Sequence, residues 1–368
     1  MKSGVIFSAT DKSLFDALNQ RTVTNNDLRD LFLSRGIIGS KDTSRKTLAL
    51  HFSRIPHDYY DYQKLATIFG NPLHHEKLTS RRLKTKVEIK VLESSAHDLK
   101  ADLESEGALV RIGASKGSRL DIEIQYQKLN FNKSEFRQVI TKTVRITLEK
   151  HGDEVVAYLP HNDEAYEWLE KIQKNAQSKT EEAIESEEIK LPLTLDAKSK
   201  SKFFIDLIKN ISGHPLHDVT DIYISKPKPD EDKDESDDSL DSDGSSSGIH
   251  ISKASLKGQG VLQSEELNLL EKKGFYVSKI VWLSKSTGIG NDLYEFEAQF
   301  AKPETCSSFT FLPRGFYKNI DGAGHSLNRT GLSTEEEHRL GRLIEKSAQQ
   351  AFSNLQGPEN GKDQTSKA

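Results

Sequence analysis

The sequence predicts an α+β protein: a small helical N-terminal domain followed by two β-rich α+β units. Three observations carry this. Apolar residues recur at helical spacing through residues 1–78. Beyond that stretch, short runs rich in Val, Ile and Tyr alternate with polar residues and are separated by amphipathic segments. Two polar charged stretches, 176–188 and 226–248, interrupt the pattern.

The helical domain begins with "DKSLFDALNQ" (11–20). Thr24 with Asp27 three residues later has the form of a capping box ahead of a second helix, where Leu28, Leu31 and Phe32 share a face and Gly36 supplies the stop. A third helix starts near Thr43 or Ser44, buries Leu48, Phe52 and Ile55, and stops at Pro56. "HDYYDYQKLATIFGN" (57–71) offers Tyr60, Leu65, Ile68 and Phe69 to close the core.

The first α+β unit, 79–175, is expected in the order β-α-β-β-β-β-α. Its first strand is read from "KTKVEIKVLE", where Val87, Ile89 and Val91 alternate with Lys86, Glu88 and Lys90. A charged connector at 176–188 leads to the second unit, 189–355, which opens with "IKLPLTL" as a strand. Within it, the acidic, Ser-rich 226–248 reads as a disordered linker, since it has too little apolar area to offset the entropy of ordering. Residues 356–368 read as a disordered tail. Residues 103–128 and 270–302 share a pattern of helix end, Gly, strand, turn, strand, with Gly107 matching Gly274 and Glu123 matching Glu297. A diverged internal duplication and two independently similar hairpins both account for it.

Composition narrows the function classes. The chain has 368 residues, 29% of them charged, and a single cysteine, Cys306. One cysteine excludes an internal disulfide and a thiolate-rich zinc site. No apolar run approaches the ~20 residues of a membrane helix, and the N-terminus lacks a signal-peptide apolar block, so a cytoplasmic protein without membrane contact is expected. The formal net charge of −4 is unevenly distributed. Residues 1–90 hold 16 Lys and Arg against 9 Asp and Glu, a net of +7, whereas Asp230–Gly248 holds 9 acids and one Lys. A basic front end with a separate acidic segment is a pattern found in nucleic-acid binders.

The basic residues cluster accordingly. Lys41, Arg45, Lys46 and Arg54 lie in or beside the third helix, the first three near its N-terminus, where backbone N–H groups favour a phosphate. Arg81, Arg82, Lys84 and Lys86 extend the possible footprint. Such contacts give salt-sensitive, largely sequence-independent affinity. The bland alternative is a solvated helical face. Leu28, Leu31, "RGII" (35–38) and Lys46 ahead of Leu48 make residues 26–55 resemble the SAP module and its helix–extension–helix relatives. The resemblance implies two short helices around an extended link, with DNA contacted through the second of them. This chain departs in having a longer link and Ser, not Gly, before that helix, and a helix-turn-helix variant is the rival.

Chemistry is less well marked. A metal-dependent nuclease, in a setting such as genome defence, would draw on Glu88 and Lys90 as a Glu-x-Lys pair and on Asp121 and Glu123 along one strand face. The plain reading is a strand showing its polar side to water. His74, His75 and Glu76, and His214, His217 and Asp218, hold metal-ligand residue types without a recognised ligand spacing. The glycine-rich 321–333 lacks the Gly-Lys-Ser/Thr of a phosphate loop. The expectation is therefore non-catalytic nucleic-acid binding, DNA before RNA, with no cofactor and an α+β scaffold able to hold a protein partner. A nuclease and a protein–protein adaptor are the alternatives.

Overall fold

The computed structural model describes residues 10–20, 23–58, 60–62, 64–65, 76–113, 117–132, 139–226, 253–258, 260–288, 290–320 and 324–356. Nearly all of the acidic linker, the tail, Ile68, Phe69, His74 and His75 lie outside them. The protein is α+β. Three short helices come first: α1 (Asp11–Leu18), α2 (Asn25–Leu33) and α3 (Arg45–Ser53). They are followed by β1 (Leu78–Lys84), α4 (Ile89–Ser105), β2 (Leu109–Ile112), β3 (Arg119–Leu129), β4 (Val139–His151), β5 (Glu154–Pro160) and α5 (Asp163–Thr180). Next come β6 (Glu185–Glu187), α6 (Ala197–Lys209), β7 (Leu216–Ser225), β8 (Lys253–Lys257), α7 (Glu265–Lys272), β9 (Tyr276–Lys285) and β10 (Leu293–Lys302). The chain continues through β11 (Ser307–Tyr317), a small hairpin of β12 (Asn319–Ile320) and β13 (Gly324–His325), and α8 (Thr334–Gln356). None of the described helices is long and apolar enough to cross a membrane.

The expected β-α-β-β-β-β-α order is present, but its first strand lies elsewhere. β1 occupies Leu78–Lys84, and the alternating "VEIKV" opens α4 with Glu88 as its N-cap. The segment carries both periods. Ile89, Leu92, Ala96, Leu99 and Leu103 recur at three- and four-residue spacing and are all buried, so one helical stripe outweighs a short run of alternation. "IKLPLTL" is likewise not a strand. Its buried Ile189 and Leu191 join the core, Leu191 N–H bonds the Cys306 carbonyl, and Pro192 removes a ladder donor. The strand in this region is the exposed β6, inside the charged connector.

The chain divides into two compact units. Unit 1 comprises residues 1–75, 88–146 and 168–179. Its helical part has a core of its own, built from Leu14, Leu18, Leu28, Phe32, Leu48, Phe52 and neighbours, with Phe32 and Phe52 edge to face at 5.1 Å. Tyr60, expected inside, is exposed, whereas Leu65 is buried. The other part sets α4 against β2 and β3, where Leu120, Ile122 and Ile124 are buried and Asp121 and Glu123 point the opposite way.

Unit 2 comprises residues 76–87, 147–167 and 180–368. Its sheet runs β5-β1-β11-β10-β9-β7-β8, with the end of β4 beside β5 and β6 on β1. Every pair whose register is given is antiparallel. Helices α6 and α8 cover one face, packing Phe203, Phe204, Leu207, Leu340 and Ile344 into one core with Trp282, Phe296 and Phe311. Each such large apolar side chain contributes about 1.5–3 kcal/mol when fully buried. Gly341 lets α8 approach closely, because a Cβ there would meet Leu78 at 3.2 Å and Phe311 at 3.3 Å. The opposite, more polar face also carries apolar side chains: its register aligns Lys257 with Asp221 and the buried Val281, and Ser255 with Tyr223 and Lys279.

Two helix ends repeat one another. After α4, Gly107 (φ +93°) and Ala108 donate to the carbonyls of Glu104 and Leu103. After α7, Gly274 (φ +85°) and Phe275 donate to those of Glu271 and Leu270. Both turns need a left-handed residue, and both then enter a strand paired antiparallel to the next.

Candidate nucleic-acid interface

The helical part of unit 1 is fixed by its caps. Thr24 Oγ1 accepts from Asp27 N–H while Asp27 Oδ2 accepts from Thr24 N–H, the capping box legible in the sequence. Ser44 Oγ accepts from Thr47 N–H at 3.2 Å to start α3. Gly36 (φ +71°) turns the chain out of α2.

These constraints divide the basic residues into two groups. Arg29, Arg35 and Arg45 hold the bundle together. Arg29 donates to the Lys41 carbonyl, Arg35 pairs with Asp61 and reaches the Pro56 carbonyl, and Arg45 Nη1 donates to the Gln20 carbonyl at 3.3 Å. Lys41, Lys46 and Arg54 are exposed, and none of the ion pairs among the described residues uses them. Lys46, Leu50 and Arg54 recur at i, i+4 and i+8, so they form one stripe opposite the buried Leu48 and Phe52. α3 contains no acidic residue. Beside it, the link exposes Ile37 and, at 89%, Ile38.

The second basic cluster, on unit 2, is engaged. Arg81 pairs with Glu188 at 2.6 Å and stacks over the Tyr166 ring. Arg82 meets Glu154 at 3.1 Å and the buried Glu345 at 3.6 Å, and Lys84 meets Glu187 at 2.6 Å. Lys86 is exposed, and its carbonyl accepts from Lys150. Around this strand, Tyr158 donates to Glu345 and Arg342 pairs with Glu149. Burial pushes the Glu345 carboxyl up, against the opposing pull of Arg82.

The carboxylates considered for catalysis fall on different elements. Glu88 and Lys90 sit at the start of α4 and not on a strand, so the Glu-x-Lys pair lacks the strand geometry assumed for it. Asp121 is bound by Arg119 at 2.7 Å, and Glu123 lies between Arg145 at 2.7 Å and Arg111 at 3.6 Å. Among the described residues, no three His, Cys, Asp or Glu side chains are grouped so as to hold a metal ion. His214 is buried against the edges of Tyr294 and Phe296, with its pKa lowered chiefly by that burial. His217 is exposed, while Asp218 accepts from the Val219 and Gly260 amides. Glu76 accepts from Asn162.

Sequence reasoning missed an arrangement of charges around two carboxylates on β10. Glu297 Oε1 lies 2.7 Å from Lys77 and 2.9 Å from Lys279. Glu295 lies 3.4 Å from Arg314 and also pairs with Arg329. Burial would raise the Glu297 pKa, but its lysine partners outweigh that and hold it low. The signal was "YEFEAQF", whose alternation marks two acids on the polar side of a strand. No protein-family model matches the chain, and no curated protein matches it.

Proposed function

We propose that the protein binds nucleic acid without catalysing a reaction on it, through the outward stripe of α3. One observation carries this reading: Lys46 and Arg54, with Lys41 at the approach to the helix, are exposed and, among the described residues, unpaired, on a helix that contains no carboxylate. Cations held on a rigid helix without internal partners are available to phosphates. Leu50 and His51, exposed beside them, give the stripe side chains that can meet base edges or sugars. DNA is the first expectation, in line with the resemblance of residues 26–55 to helix–extension–helix modules, and RNA the second. Unit 2 acts as scaffold, in the cytoplasm by the chain's cysteine usage. The matching helix ends and the matching Glu123 and Glu297, the first between Arg111 and Arg145 and the second between Lys279 and, at 3.8 Å, Arg314, support a diverged internal duplication.

A second reading, a protein–protein adaptor, draws on the exposed Leu33, Ile37 and Ile38. Filter binding of the full chain to labelled DNA and RNA duplexes separates the two. Duplex binding through α3 predicts that Lys41→Glu, Lys46→Glu and Arg54→Glu together abolish retention of the duplexes on the filter while the fold is kept. Unaltered retention would remove α3 from the interface, and absent retention of the native chain at low salt would favour the adaptor.

A further inference from the structure

An antiparallel sheet with helices on one side leaves the other to water, and such a face commonly mixes both signs of charge. The polar face of unit 2, across β8, β7, β9, β10 and β11, is unbalanced. Lys253, Lys257, Lys279, Lys285 and Arg314 stand on it, and Lys77 and Arg329 reach its carboxylates from the flanks. Among the described residues of these strands, the opposing carboxylates are Asp218, Asp221, Glu295 and Glu297. Among the described residues of these strands five cations stand against four acids, and the excess lies at the β8 edge, where Lys253 is exposed and takes part in no ion pair among the described residues.

An aromatic ring lies beside this edge. Lys279 Nζ sits 4.9 Å from the centroid of Tyr223, and Lys257 Nζ sits 6.0 Å from it. Lys257 is well exposed, and its ion pair with Asp221 is long, at 3.6 Å. The Lys257 ammonium is carried on a flexible stem that can swing from the ring to a phosphate, while Lys279 is held by Glu297 at 2.9 Å. A ring beside the Lys257 arm on a sheet face, with Lys253 on the same strand, fits an unpaired base and its phosphates: the base stacks and the ammonium groups bind the backbone. A duplex keeps its base faces stacked inside and cannot use the ring in this way.

We propose that this face of unit 2 binds single-stranded nucleic acid, with Tyr223 as the stacking platform and Lys253 and Lys257 binding phosphates. The surface belongs to unit 2 and α3 to unit 1, so the test removes α3 first. The full chain carrying Lys41→Glu, Lys46→Glu and Arg54→Glu is titrated with fluorescent oligothymidylate and oligouridylate at several salt concentrations. It is expected to retain binding. Adding Lys253→Gln, Lys257→Gln and Tyr223→Ala is expected to weaken that binding at least about tenfold, and each phosphate left without its lysine should flatten the log–log salt slope by about 0.7. Tyr223→Phe, which keeps the ring, is expected to preserve affinity. The proposal is overturned if the α3-reversed chain binds no single strand, if the further substitutions leave affinity unchanged, or if duplex DNA or polyglutamate competes as well as the oligonucleotide. Because α3 is disabled throughout, these outcomes do not depend on whether α3 itself binds.

Discussion

Helix α3 and strand β1 each carry a dense set of basic residues, and their surroundings differ. On β1, Arg81, Arg82 and Lys84 each face a carboxylate of unit 2, supplied by Glu188, Glu154, Glu345 and Glu187. On α3, Lys46 and the C-cap Arg54 face solvent, and the helix holds no acid. The first arrangement neutralises its cations within unit 2, and the second leaves charge available for a partner. A run of Lys and Arg is therefore informative about binding only once the carboxylates that could neutralise it are located.

The comparison can be broken most forcefully through its supports. Phe52→Ala empties the core beneath the α3 stripe and should destabilise the helical part by about 3–5 kcal/mol. That loss is read from the denaturant midpoint of its transition. Arg82→Ala leaves the buried Glu345 without its cation and should lower the stability of unit 2 by roughly 3 kcal/mol, the lower end for a broken buried pair. Lys46→Ala, by contrast, should change stability by no more than about 0.5 kcal/mol. Equal effects from Arg82 and Lys46 would erase the distinction between the two clusters.

The pairing around β1 also carries a pH signature. Burial raises the folded-state pKa of Glu345 above its ordinary 4.5, despite Arg82. A raised pKa means that the contribution is present below the unfolded value and is lost as pH rises through the folded one. Glu345→Gln mimics the protonated form, so it should raise the melting temperature near neutral pH and have little effect below pH 4.5. A lower melting temperature at neutral pH would instead show that the charged pair holds α8 in place.

Much of the fold was legible where local chemistry determines local structure. The capping box at Thr24 and Asp27, the glycine stops at Gly107 and Gly274, and the alternating faces of β3 all follow from short-range rules. The failures involve longer range. "VEIKV" satisfies both periods, and only the continuation to Leu103 decides for helix. β6 is exposed along its length, so no apolar pattern announces it, and its pairing with β1 is what makes it a strand. The candidate site was half legible. Residue type pointed to Lys46 and Arg54, but it pointed equally to Arg81 and Lys84, whose partners lie about a hundred residues downstream.

The contrast between the two clusters is tested most directly by the salt dependence of duplex DNA affinity for the full chain, measured by fluorescence anisotropy in two double variants. Lys46→Gln with Arg54→Gln should reduce the log–log slope by about 0.9 for each phosphate no longer neutralised and weaken binding across sequences alike. Arg81→Gln with Lys84→Gln should leave slope and affinity unchanged wherever the chain remains folded. The opposite pattern, with the slope falling for the β1 pair and holding for the α3 pair, would contradict the account.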